Sequence, residues 1–377
     1  MEATAAEIGE RTTTPVELLW DLVFVFAVTQ VTTLLRRELT WTGFGRAMLV
    51  LALVWWAWSA FVWVTNALPP DSARLRATLL CASAMIFIVG LALPRAFAGD
   101  AELFAVSYAA VRALHLLIYW DTARRGHAAL RSVAGFSVTV AIGMILLIVG
   151  SFCHGALRSA LWIAAAAIDY AGPGWLTRSR LRELQTVAVA HFAERYGSFI
   201  IICLGESIVA IGIGAGGAHL GAQRVGAVVL ALAITIALWW IYFDRVAGLA
   251  REKLVAHHEP VLAASDAYSY IQLLLVAGII VFAVGARSAV ADITAPLSIG
   301  PRLALCGGVA LYLAGNVGFV WRIAAEFNYA RALAAAACLA LFALTGGGDS
   351  AWVSAGGLAG VLALLVASEA IRAGAAA

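Results

Sequence analysis

Four ionizable residues, Asp21, Arg112, Arg195 and Glu206, lie within or at the start of long apolar runs of the sequence. An acid at bilayer depth costs at least about 2.5 to 3.5 kcal/mol on insertion scales, so it faces protein or a wet cavity instead of lipid. In that setting a carboxylate can bind a proton or a small cation, and an arginine can serve as its counter-ion. These residue types therefore indicate a polar path for an ion or a small solute.

The first apolar run carries two acids, Glu17 and Asp21, four residues apart. In a helix this spacing puts both side chains on one face, and Val28 continues that face. The pair is typical of a proton or cation site near the cytoplasmic mouth. It is equally typical of an acid that packs against an arginine from another span.

The seventh run begins with His191, Glu194 and Arg195 and contains Glu206, the deepest acid in the chain. Arg195 and Glu206 share a helical face but stand roughly 16 Å apart along the axis, so each needs a partner elsewhere. We predict that a polar stripe enters at His191 and ends at Glu206.

Other polar residues within or near the ends of apolar runs complete the predicted path. Arg112 is expected to be the counter-ion of either Asp21 or Glu206, and Asn316 lies inside the tenth run. The ninth run opens with three polar or aromatic residues that are candidates for the path. The two tyrosines among them could instead belong to an interfacial aromatic belt. The three residues are Asp266, Tyr268 and Tyr270.

The composition describes the elements that hold these residues. Of 377 residues, 63% are hydrophobic and 12% are charged, with a formal net charge of +3. This excludes a soluble fold and gives no basic patch for nucleic acid. Twelve apolar runs of membrane-spanning length, from 16–35 to 351–370, predict an all-α polytopic membrane protein; the sixth and eleventh runs are short and alanine-rich.

An internal duplication is predicted, because the first and seventh runs each carry an acid that is followed at nearly equal spacing by a Trp-Trp pair. We expect two parallel repeats of six helices. The predicted divisions are a tail at 1–15, a first repeat at 16–172, a linker at 173–191, a second repeat at 192–370 and a tail at 371–377. The arginine distribution predicts that both termini are cytoplasmic, in a bacterial inner membrane.

The five cysteines are widely spaced, and no spacing typical of a disulfide framework or a metal site is present. His257 and His258 are adjacent but lack a third spaced ligand. We therefore expect neither a metal nor a cofactor.

Three segments together resemble the bacterial low temperature requirement protein A family. They are ELLWDLVFVFA at 17–27, HFAERYGSFIIICLGESI at 191–208, and DAYSY at 266–270 running into VAGI at 276–279. The resemblance implies a multi-span membrane protein and does not by itself imply a particular activity. Where the family usually has His-Leu-Pro after the two tyrosines, this chain has Gln272-Leu273-Leu274, so proton chemistry on that histidine would be absent.

The first span is also similar, more loosely, to the potassium channels that share a Phe-Ser-Asp motif, through Asp21, Phe24 and Thr29. Pro15 and Trp20 replace that family's arginine and serine, which puts its gating arrangement in doubt.

Two functions from different classes follow. The first is a transporter or channel in which Asp21 and Glu206 line a path for a cation, a proton or a small solute. The alternative is an intramembrane enzyme that protonates a lipid or isoprenoid against aromatic walls. Those walls would be Trp20, Trp55, Trp56, Trp239 and Trp240. The expected partners are the lipid bilayer and either a small solute, cation or proton or an apolar lipid-like substrate. An oligomer is also compatible with the sequence.

Overall fold

A computed structural model describes residues 13–67, 73–125, 130–176, 178, 188–216 and 219–374. These residues form twelve helices, and the only β pairing among them is an isolated bridge between Pro296 and Ser350. In chain order the helices are α1 (Pro15–Arg37), α2 (Trp41–Ala67), α3 (Ala73–Ala92), α4 (Ala101–Arg124), α5 (Leu130–Ser151), α6 (Gly155–Ala171), α7 (Val189–Ala215), α8 (Ala222–Val255), α9 (Pro260–Ala291), α10 (Ile299–Ala324), α11 (Tyr329–Leu344) and α12 (Ala351–Gly374).

Ten of these described helices are long and apolar enough to cross a membrane. The other two, α6 and α11, have 17 and 16 residues and correspond to the two short runs of the sequence. The predicted all-α polytopic fold is therefore confirmed.

The chain divides into two compact units. The first contains Met1–Tyr196 and Leu254–Ser269, and the second contains Gly197–Lys253 and Tyr270–Ala377. The predicted repeats at 16–172 and 192–370 rest on sequence similarity between halves and stay a prediction. Residues 1–12, 375–377 and most of the predicted linker lie outside the described residues.

In the first unit, the start of α1 is fixed by a capping box. The Thr14 side chain accepts a hydrogen bond from the Glu17 backbone N–H, and the Glu17 carboxylate accepts one from the Thr14 N–H. Pro15 at the first helical position has no N–H to leave unpaired. The buried face that follows recurs every three or four residues and includes Glu17, Asp21, Phe24, Val28, Val31 and Leu35.

In the second unit, α9 and α10 pack closely through glycine. A Cβ atom at Gly278, Gly285 or Gly308 would overlap backbone atoms of the facing helix. Such close approach through small residues is the usual way that helices associate in a membrane, where lipid removes the hydrophobic drive for association.

Candidate functional site

Arg195 is the centre of a buried ion-pair arrangement in the first unit. Its Nη2 donates to Oδ1 of Asp21 at 2.7 Å, and its Nε donates to Oδ2 of Asp21 at 3.1 Å. Its Nη1 lies 3.1 Å from Oε1 of Glu17. All three side chains are at most 2% exposed, so these charges are removed from both lipid and water.

His191 extends this arrangement by one helical turn. Its Nδ1 forms a 3.1 Å hydrogen bond with Oδ1 of Asn66, and its Nε2 lies 3.4 Å from Oε2 of Glu17. With the Asn66 amide in this orientation, its oxygen accepts and Nδ1 is the donor of the bond. A second proton on the ring would therefore sit on Nε2, directly opposite the Glu17 carboxylate.

We call Glu17, Asp21, His191 and Arg195 the charge cluster. It contains two carboxylates and one permanent cation, the Arg195 guanidinium. With both carboxylates ionised and a neutral imidazole, the four side chains carry one net negative charge. A proton or a bound cation would neutralise them.

A set of hydroxyl groups lies beside the cluster. Ser59 follows Trp58, whose Nε1 donates to Oδ1 of Asp21 at 2.8 Å, and Tyr196 follows Arg195. The Ser269 hydroxyl accepts from Ser59 at 3.0 Å and from Trp63 Nε1 at 2.8 Å, and it lies 3.1 Å from the Tyr196 hydroxyl. Ser59 and Tyr196 are 2.6 Å apart. We call Ser59, Tyr196 and Ser269 the hydroxyl network.

The hydroxyl network depends on a π-helical segment, Ser265–Ile271, within α9. π-Helical segments are rare in proteins, and those that occur are often found at functional sites. Trp55 stabilises the segment by donating from Nε1 to the Ser269 carbonyl at 2.7 Å.

A cavity of about 40 Å³ lies against this network. Its walls include Ser59, Ser265, Ser269, His115, Trp56 and Trp63. The lining is mostly apolar, but the volume is enough for one or a few water molecules, which would have Ser59, Ser265, Ser269 and His115 as polar partners. The network can therefore exchange hydrogen bonds with water inside the unit.

Arg112 pairs with an acid that the sequence reasoning did not single out. Its Nη2 donates to Oδ1 of Asp169 at 2.6 Å, and both side chains are buried. Trp56 is a further hydrogen-bond partner of Asp169. The expectation that Arg112 is the counter-ion of Asp21 or Glu206 is therefore wrong, because α6 supplies its partner. An acid within the alanine-rich run of α6 was the signal that could have found it.

Other predicted residues divide between the surface and the interior of the first unit. Glu194 is exposed, so it is not part of the charge cluster. Asp266 forms a two-point ion pair with Arg178, at 2.7 and 2.8 Å. Tyr268 is 1% exposed and packs edge-on against the ring of Tyr196, which excludes an aromatic belt for this residue.

In the second unit, the predicted residues are buried or half-buried. Glu206 is 3% exposed and Tyr270 is half-buried. Asn316 is buried and donates from its amide to the Tyr312 carbonyl, one turn earlier in its own helix. The unit also holds a buried ion pair between Arg331 and Glu369, at 2.8 Å, that the sequence reasoning missed.

The model of the family described as bacterial low temperature requirement A protein matches residues 12–367. The chain belongs to this family. The resemblance predicted from the three segments is thus confirmed, and the low temperature requirement A assignment makes the chain an integral membrane protein with many spans.

The chain is also similar to a protein of Rhizobium meliloti (strain 1021) that is described as the uncharacterized protein RA0937. It is 32% identical over 311 residues, which cover 80% of this chain and 75% of the relative. No solved structure matches the chain.

Proposed function

We propose that the chain transports protons or small cations across the bilayer, and that the charge cluster is the site where the cation binds. The observation that carries this proposal is the excess of one carboxylate over the guanidinium among Glu17, Asp21 and Arg195. An ion pair that serves packing alone needs one acid for one base. The second acid provides a place for a cation that can arrive and leave.

The geometry of His191 supports the proton as the cation. Its Nε2 faces Glu17 at 3.4 Å, so a proton on the ring would lie against an existing negative charge. Protonation would neutralise the four side chains, and deprotonation would restore the net negative charge.

The hydroxyl network supplies the next step of the proposed path. Serine and tyrosine hydroxyls both donate and accept, so Ser59, Tyr196 and Ser269 can pass a proton by rotation. The adjacent cavity holds enough space for water to continue the chain toward His115. By the arginine distribution we propose that the charge cluster lies at the cytoplasmic side of an inner membrane, with both termini on that side.

The enzyme alternative receives less support. The cavity beside Trp56 and Trp63 is about 40 Å³, which suits water and is far too small for an isoprenoid. Trp239 and Trp240, expected as aromatic walls, are 42% and 47% exposed.

The test is cation flux into liposomes that contain the purified full-length protein and a pH-sensitive dye. We expect Asp21→Asn to lower proton flux about tenfold or more, which corresponds to an increase of about 1.4 kcal/mol or more in the activation free energy of transport. The neutral amide leaves Glu17 balanced against Arg195. Glu206→Gln in the same assay tests whether the buried acid of the second unit also contributes.

Asp169→Asn is the matched control, because it removes a buried acid from the balanced pair of the same unit. The correctly folded fraction, separated by size exclusion, should conduct as the unchanged protein does. Equal loss of flux in both variants would contradict a specific role for the charge cluster. Absence of flux for protons, Na⁺ and K⁺ in the unchanged protein would overturn the proposal.

A further inference from the structure

The second unit contains a cavity that no step of the proposed transport uses. Its volume is about 320 Å³, and it is lined by Arg245 of α8, Asn328 of the α10–α11 connection, Arg331 of α11, and Glu369 and Arg372 of α12. Polar and apolar groups contribute nearly equally to its walls, unlike the apolar surroundings of a lipid-facing groove. A cavity of this volume could hold a small polar group.

The charges in this cavity are unequal. Glu369 is already satisfied, because its carboxylate accepts from Arg331 Nε at 2.8 Å, Arg331 Nη2 at 3.0 Å and Asn328 Nδ2 at 3.2 Å. Glu326 is exposed and lies 3.8 Å from Lys253. Arg245 lies 3.6 Å from the Asp244 carboxylate and donates to the Glu369 carbonyl, and the exposed Arg372 adds further positive charge to the walls.

Arg331 provides an oriented donor as well as charge. Its side chain is buried, and its Nη1 has no hydrogen-bond partner among the described residues. An unsatisfied buried guanidinium N–H is costly, so an acceptor in the cavity would lower the free energy of the unit. Arg331 also lies in the first turn of α11, where the helix dipole favours an anion.

We propose that this cavity binds a phosphate oxyanion, supplied by an anionic lipid headgroup or by a free phosphate compound. Arginine binds phosphate oxygens with two N–H groups at once, which suits this donor set. The cavity lies at the ends of α10 and α12, at the border between the spans and water, where both sources are accessible. Basic pockets between helices at this depth are typical lipid headgroup sites. The proposal is independent of the proposed transport.

The test measures binding of two probes to the full-length protein in detergent. One probe is phosphatidylglycerol, with phosphatidylcholine as the comparison, and the other is inorganic phosphate at millimolar concentration. We expect Arg245→Gln and Arg372→Gln each to weaken binding about tenfold, as expected for the loss of a charge-assisted hydrogen bond. Arg372 is exposed, so its variant should fold even if Arg245→Gln does not.

The matched control is Arg251→Gln, an exposed arginine of α8 that does not line the cavity. It should leave binding unchanged. Binding of phosphatidylglycerol alone supports a lipid headgroup, whereas binding of inorganic phosphate with the same arginine dependence supports a free anion. Equal weakening by Arg251→Gln, or no binding of either probe, would overturn the proposal.

Discussion

The first unit holds two buried arginines that differ in the number of carboxylates they contact. Arg112 faces one carboxylate, Asp169, at 2.6 Å. Arg195 faces two, Asp21 at 2.7 Å and Glu17 at 3.1 Å, with His191 beside them. A balanced pair explains its own presence through packing. The group around Arg195 instead holds one more carboxylate than guanidinium among its four side chains.

Breaking the balanced pair should have the largest effect on stability. We expect Asp169→Asn to lower the free energy of unfolding by about 3 to 5 kcal/mol, because Arg112 would stay buried without a counter-charge. Asp21→Asn should cost less, about 1 to 3 kcal/mol, because Arg195 keeps Glu17. Unfolding of the purified proteins in mixed micelles measures both values.

A double variant, Arg112→Met with Asp169→Leu, controls for the loss of packing at this position. It should recover most of the stability lost in Asp169→Asn, because apolar side chains replace both charges at once. If Asp21→Asn proved more destabilising than Asp169→Asn, the distinction between the two arginines would not hold.

Changes in the hydroxyl network should have a smaller effect, and they test whether the region around Arg195 takes part in proton transport as well as in packing. Ser269→Ala removes the acceptor of Ser59 and Trp63 and a partner of Tyr196. We expect a loss of about 1 to 3 kcal/mol in stability, with lower proton flux in the liposome assay.

Ser265→Ala is the matched control for Ser269→Ala. Ser265 is buried, lies in the same π-helical segment and lines the same cavity, but it is not part of the hydroxyl network. Its variant should cost less than Ser269→Ala in both stability and flux. A proton flux unchanged in Ser269→Ala would remove the network from the proposed path while leaving the charge cluster in place.

The sequence predicted the helices and the buried acids better than it predicted their partners. Apolar run length determines a span, so all twelve helices could be predicted, and helical spacing placed Glu17 and Asp21 on one buried face. Pairing depends on which helices become neighbours, which run length does not report. Arg112 was therefore matched with the acids that looked most buried, and Asp169 of α6 was missed.

Ser269 shows a different limit of sequence reasoning. It lies between two tyrosines that were singled out, yet a serine in an apolar run usually donates to a carbonyl of its own helix. In the structure, the π-helical segment places the Ser269 hydroxyl next to the side chains of Ser59, Trp63 and Tyr196. The hydroxyl therefore accepts hydrogen bonds from other parts of the chain. No feature of the sequence near Ser269 reports those distant side chains.

The smallest expected effects on stability come from a pair of tyrosine bonds, one in each unit. They bear on the predicted duplication, which requires corresponding contacts in the two units. In the first unit, the Tyr108 hydroxyl of α4 donates to the Leu53 carbonyl of α2 at 3.1 Å. In the second, the Tyr312 hydroxyl of α10 donates to the Leu238 carbonyl of α8 at 2.7 Å. Each carbonyl lies just before a Trp-Trp pair. A corresponding bond in each unit is what the predicted duplication would require, and the duplication stays a prediction.

We expect Tyr108→Phe and Tyr312→Phe to cost similar amounts, about 1 kcal/mol each, because each removes one hydroxyl bond to a buried carbonyl. Thermal unfolding of the two variants beside the unchanged protein measures this. The residue one turn later differs: Arg112 continues to Asp169, whereas Asn316 bonds back to Tyr312. Similar losses of stability in Tyr108→Phe and Tyr312→Phe would indicate that the tyrosine bond is shared by the two units. The difference between the units would then lie in Arg112 and Asn316. A large cost in one unit alone would instead indicate that the two bonds arose separately.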